Sequence, residues 1–164
     1  MNHPTVLALD PSTTSTGWAV VREGKVLGSG HVKLDFQRDK YTMNHLERFK
    51  FLRNQLDDVV DGYGADHIVI EDTFIGRNPK GAMVLVRFVG QLHLWASDHH
   101  AFHQPNDIPS YTKSVWAKEE LGKGNATDED SVRLALAKHG VSVGKHDEAD
   151  AIHIAIFHEK SLKK

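Results

Sequence analysis

The chain has 164 residues, 40% apolar, 26% charged and 8% aromatic, enough to close one hydrophobic core. Twenty Lys and Arg against 22 Asp and Glu give a net charge of −2, too acidic for a protein that coats DNA by charge alone. The absence of cysteine excludes disulfides, thiolate zinc sites, iron–sulfur clusters and cysteine nucleophiles, and no apolar run approaches the ~20 residues of a membrane span. No signal peptide precedes the first strand-like segment, so the expected location is the cytoplasm, with no membrane partner.

Residues 5–10, TVLALD, form a short apolar run ending in an acid, the pattern of a buried strand. A PSTTST turn leads to a second strand over 17–22, and Glu23-Gly24-Lys25 reads as a hairpin into a third over 26–34. From about Asp39 the apolar period becomes helical: Leu46, Phe49, Leu52, Leu56, Val59 and Val60 share a face, closed by Gly62 and Gly64. Residues 67–72, HIVIED, give a fourth strand, again ending in acid. Pro79 opens a helix that runs to about Asp98. A fifth strand is expected over 101–104, then a loop between Pro105 and Pro109. Short helices follow over 112–121 and 127–139, and a last one begins near His146. With no linker or repeat, the order predicts one α/β domain over 1–164, a mixed five-stranded sheet flanked by helices.

The acids carry the chemistry. Alone, Asp10 before Pro11 reads as a turn former. Glu71 repeats its grammar at the end of another apolar strand, and the two converge if those strands are sheet neighbours; otherwise they are separate surface acids. Asp147 and Asp150 stand at i and i+3, on one face at the start of the last helix. Capping and the helix dipole account for one acid each there. They do not account for an acidic face opening a helix as apolar as Ala151, Ile152, Ile154, Ala155 and Ile156. Four carboxylates brought together repel unless divalent cations lie between them, and all-oxygen donors suit Mg²⁺ or Mn²⁺. Two such ions about 4 Å apart serve phosphodiester hydrolysis.

Three segments in order, LALDPSTTSTG at 7–17, IEDTF at 70–74 and DEADAIHIAI at 147–156, make the chain resemble the RuvC family of Holliday-junction resolvases, in the ribonuclease H-like superfamily. The resemblance spans most of the chain. It implies a ribonuclease H-like fold and a structure-selective endodeoxyribonuclease that resolves four-way junctions by paired symmetric nicks. It further implies two Mg²⁺ ions, replaceable by Mn²⁺, held by Asp10, Glu71, Asp147 and Asp150, with branched DNA as substrate. His146 matches a ligand of some relatives, although its position also suits a helix-entry residue. Phe74 matches an aromatic that wedges at the junction centre, or else it packs under its own loop; Arg77 and Lys80 beside it are phosphate contacts or solvated surface charges. Lys113 matches a basic residue at the active site and is the expected phosphate holder. A second family lysine has no counterpart, since Asp128-Glu129-Asp130 occupies its place; Lys118 or Lys123 would substitute. That loss suits a phage-type member with relaxed sequence preference.

Two alternatives remain in the sequence: a nuclease of the same superfamily acting on flaps or RNA–DNA hybrids, and a non-catalytic junction-binding dimer. His93, His99, His100 and His103 show no zinc-ligand spacing. Lastly, the helix from Pro79 is apolar on two sides. Val84, Leu85, Phe88, Val89, Leu92 and Trp95 face the sheet, whereas Met83, Val86 and Leu94 form a second surface expected to pair in a homodimer.

Overall fold

The computed structural model describes residues 3–34, 37–38, 41–42, 44–72, 79–99 and 108–163. Three consecutive strands, β1 (Val6–Pro11), β2 (Ser15–Arg22) and β3 (Lys25–Lys33), pair antiparallel as a meander. Glu23 and Gly24 adopt positive φ, which makes the tight turn between β2 and β3. A two-residue pair, β4 (Gln37–Arg38) with β5 (Tyr41–Thr42), precedes α1 (His45–Tyr63). That helix therefore starts after the change of period near Asp39. Asn44 and Glu47 close a capping box there, and Gly64 ends the helix in the left-handed region.

β6 (His67–Glu71) pairs parallel with β1, and α2 (Pro79–His99) follows. The fifth strand of the sheet is β7 (Ser110–Tyr111), parallel to β6. The strand expected over 101–104 lies outside the described residues. α3 (Lys113–Glu120), α4 (Asp128–His139) and α5 (His146–Ser161) complete the chain. The sheet order is β3-β2-β1-β6-β7, the mixed five-stranded arrangement expected from the element order.

The strand period of two decides which residues meet which helices. Leu7, Leu9, Ile68 and Ile70 point to one face and pack with Leu52 and Leu56 of α1 and Phe88, Leu92 and Trp95 of α2. Val6, Ala8 and Val69 point to the other, against Trp116 of α3 and Ile154, Ala155 and Ile156 of α5. Continuing the alternation puts Asp10 and Glu71 on the α5 side. α5 is buried along nearly its whole length, and each of its three buried isoleucines is worth about 2–3 kcal/mol. Polar ties fix its placement along the sheet: Ser29 Oγ donates to Glu148 Oε1 at 2.7 Å, and the Gly24 amide donates to Glu159 Oε2 at 2.8 Å. Among the described residues, no helix is long and apolar enough to cross a membrane.

Gly17 lets the start of α5 lie on β2. It is register partner to Asp10, and a Cβ there would lie 2.0 Å from the Asp147 carbonyl oxygen and 2.6 Å from the Glu148 nitrogen. Those atoms are backbone and cannot swing aside. Gly17→Ala should cost about 2–3 kcal/mol and lower Tm by about 5–10 °C in thermal unfolding. An unchanged Tm would mean that α5 does not sit this close to the strand.

Candidate active site

The parallel register Leu9↔Ile70 makes Asp10 and Glu71 the next pair across two adjacent strands, and their side chains hydrogen-bond to each other. The first turn of α5 carries Asp147 and Asp150 near enough for both acids to add to the negative field on Asp10. Burial, then the neighbouring Glu71, pushes the Asp10 carboxyl well above the ordinary carboxylate range. Glu71 is also raised by burial, against the opposing effect of its hydrogen bonds with Asp10 and with Trp116, whose Nε1 donates to Glu71 Oε1 at 2.8 Å. Burial raises Asp150 too, opposed by Lys113 and Ser131.

Lys113 opens α3, and its Nζ donates to Asp150 Oδ2 at 2.7 Å and to Asp128 Oδ1 at 3.1 Å. Partial burial works against its charge, but these two carboxylates win and hold its pKa above the usual lysine value. Ser131 Oγ of α4 donates to the other Asp150 oxygen. His146 Nε2 lies 2.8 Å from Asp147 Oδ1 and 3.8 Å from Asp128 Oδ2. Asp10, Glu71, Asp147 and Asp150 are thus brought together, with Lys113 and His146 at the rim. Asp147 and Asp150 are buried and Asp10 and Glu71 partly so, and four such carboxylates, short of positive charge, fit divalent Mg²⁺- or Mn²⁺-type cations.

Other expected residues are placed differently. Phe74 and Arg77 lie outside the described residues, as does the Lys80 side chain. Lys123 pairs with Asp130 at 2.6 Å, turned to the start of α4. Lys118 is exposed on α3, five residues after Lys113 and so about 140° further round the helix. The acids in place of the second family lysine have a structural use: Asp130 closes a capping box with Thr127, and Lys123, that cap and Arg133 hold its carboxyl far below the usual range. His99 Nε2 bonds Asp57 at 2.9 Å, and His100 and His103 lie outside the described residues.

Sequence reasoning missed Trp116 and Ser131, which hold Glu71 and Asp150. It also missed a cleft beside Asp147 that Lys33 and Lys145 line together with Ser12, Thr14 and His31. A lone tryptophan and a serine in a charged helix carry no spacing signal; their role depends on α3 and α4 packing on α5.

A model of the family described as "Crossover junction endodeoxyribonuclease RuvC" matches residues 6–158. The chain belongs to the RuvC family. Similar curated relatives include RuvC of Campylobacter jejuni strain 81116, 27% identical over 164 residues, covering 96% of this chain and 97% of the relative. RuvC of Salinibacter ruber is 29% identical over 157 residues, covering 93% and 83%. Among solved structures, Thermus thermophilus RuvC in complex with Holliday junction substrate matches with a TM-score of 0.77 at 20% identity, covering 98% of this chain and 96% of that one. The yeast mitochondrial Holliday junction resolvase Ydc2 matches at 0.58 and 17%, covering 99% and 82%. The architecture is the ribonuclease H-like one of these resolvases, and the RuvC nucleases are metal-dependent.

The raised carboxyls make metal-free stability pH-dependent. A carboxyl whose folded pKa lies above its unfolded value favours the fold at acid pH, and that contribution is lost as pH rises through the folded value. Asp10→Asn removes a carboxylate that burial, and then its acidic neighbours, disfavour. The metal-free variant should therefore melt about 2–4 °C above wild type at pH 7.5, for ~1 kcal/mol of relieved repulsion. The gap should shrink towards pH 4 and close when Mg²⁺ is added. A variant less stable than wild type at pH 7.5 without metal would contradict the repulsion.

Proposed function

We propose that this RuvC-family chain, a single nuclease domain over 1–164, is a crossover junction endodeoxyribonuclease that resolves four-way DNA junctions with paired symmetric nicks. The observation that carries the reading is the convergence of Asp10, Glu71, Asp147 and Asp150 at the ends of β1 and β6 and the start of α5, in a chain matched to the family across 6–158. These four residues hold two Mg²⁺ ions, which Mn²⁺ can replace. Bound there, the ions supply charge stabilisation and a more acidic water for in-line attack at phosphorus.

The chain's own groups then divide the remaining work. Trp116 and Ser131 keep Glu71 and Asp150 aimed inward by hydrogen bonds. Lys113 has three donors; by giving up Asp150 while keeping Asp128, it turns an ammonium to the phosphate next to the scissile bond. Phe74, three residues beyond Glu71, stacks on an unpaired base at the junction centre, with Arg77 and Lys80 on flanking phosphates. Lys118 is a phosphate contact from the exposed side of α3, whereas the pairing of Lys123 with Asp130 argues against a direct contact from that residue. Lys33 and Lys145 extend the backbone track along the cleft beside Asp147.

Two-fold symmetric cutting needs two active sites. On α2, Phe88, Val89, Leu92 and Trp95 are buried, while Met83, Val86 and Leu94 are 55%, 43% and 68% exposed. Together with the exposed Gly90 they form a stripe at helical spacing, suited to a second copy of this helix. The homodimer is built on that stripe.

Cleavage of a labelled four-way junction with Mg²⁺, alongside a flap, a plain duplex and an RNA–DNA hybrid, tests the reading. Paired symmetric nicks in the junction are expected. Asp150→Asn should still bind but cut about 10²–10³-fold more slowly or worse, and Leu94→Glu should sediment as a monomer and uncouple the nicks. Preferential cutting of flap or hybrid would move the substrate, and tight junction binding without cutting would make the chain a binding module.

A further inference from the structure

Outside the carboxylate site, a second set of ligand-type side chains meets where three helices touch. Glu120 is the last residue of α3, His139 the last of α4, and His153 lies midway along α5. One ligand atom from each lies within 4.8 Å of the others. Glu120 and His153 are 1% and 0% exposed, and His139 is half-buried.

The hydrogen bonding fixes what the imidazoles offer. His153 Nε2 lies 3.1 Å from the Ser131 carbonyl oxygen, which can only accept, so Nε2 carries the proton and Nδ1 presents a lone pair. That Nδ1 is buried without a hydrogen-bond partner, and so is His139 Nε2. A histidine that donates one ring N–H to a backbone carbonyl while the other nitrogen stays bare is oriented as a metal ligand. Burial lowers the pKa of both rings, that of His153 to about 4, so both are neutral at pH 7. Two neutral imidazoles and one carboxylate are a zinc-type donor set, whereas Mg²⁺ favours oxygen alone.

We infer that Glu120, His139 and His153 bind one zinc-class divalent cation, separate from the carboxylate site, and tie the ends of α3 and α4 to α5. Its position bears on the active site. The His153 ring stacks on Trp116, with centroids 6.2 Å apart and planes at 12°, and Trp116 holds Glu71. Ser131, whose carbonyl faces His153, holds Asp150. A cation on these ligands fixes the two residues that aim the catalytic carboxylates. Lys160 Nζ donates to Glu120 Oε1 at 2.6 Å, and Lys138 donates to the Glu120 carbonyl. These ammonium groups oppose the cation, so removing one should tighten binding.

The test uses the full chain stripped of metal by a chelator, then given Zn²⁺ alone in excess Mg²⁺ and gel-filtered for metal analysis. An Asp10→Asn/Asp147→Asn background keeps the carboxylate site from contributing. One zinc per chain should remain, falling at least tenfold in affinity for His139→Gln and rising for Lys160→Gln. Co²⁺ in place of Zn²⁺ should give the visible absorption of a nitrogen-ligated, four-coordinate ion. This readout needs no further variant, so it stands even if His139→Gln folds poorly. No retained zinc, retention unchanged in His139→Gln, or a Co²⁺ spectrum of oxygen ligation alone would each overturn the site.

Discussion

Mutual repulsion among four carboxylates, in a place where water screens them poorly, is the constraint around which the molecule is arranged. Asp10 and Glu71 neighbour each other because β1 and β6 pair in parallel and in one register, and a one-residue slip would send either acid to the opposite face. Asp147 and Asp150 reach them because Gly17 leaves room for α5 against β2. Burial, with the neighbouring acids, makes Asp10, Glu71 and Asp150 hold their protons more readily than free carboxyls do. The fold therefore spends stability on holding these acids together, the compromise expected where structure serves chemistry.

The surroundings hold the acids without neutralising them. Trp116 and Ser131 are neutral donors that orient Glu71 and Asp150. Lys113 supplies a full charge, but on a long stem and shared with Asp128, so it can be drawn off by an incoming anion. The basic residues near the C-terminus, by contrast, are used internally. Lys160 bonds Glu120, which fastens α5 to α3, and Lys163 pairs with Glu159 one turn back along the same segment.

Much of this was legible in the sequence because it rests on local periodicity. The apolar runs 6–9 and 68–70 end in acids, and Asp147 and Asp150 fall one turn apart, so strand ends and a helix face could be read directly. The two sides of α2 followed from the same helical spacing. What could not be read depends on contacts between distant segments. Ser110–Tyr111 is too short to carry a strand signal and pairs only because β6 lies beside it. The start of the first helix at His45 is a different case: Asn44 and Glu47 cap it, a local signal that the broader apolar period hid. Histidines crowd the sequence at 93–103, yet the geometric cluster joins Glu120, His139 and His153, 33 positions from end to end.

The central claim, that the four carboxylates form one two-ion site, is tested most directly by anomalous diffraction from crystals grown with Mn²⁺. Two Mn²⁺ peaks about 4 Å apart are expected, bounded by Asp10, Glu71, Asp147 and Asp150, with the Lys113 ammonium displaced from Asp150. No peak among these acids at millimolar Mn²⁺, with Lys113 still on Asp150, would contradict it.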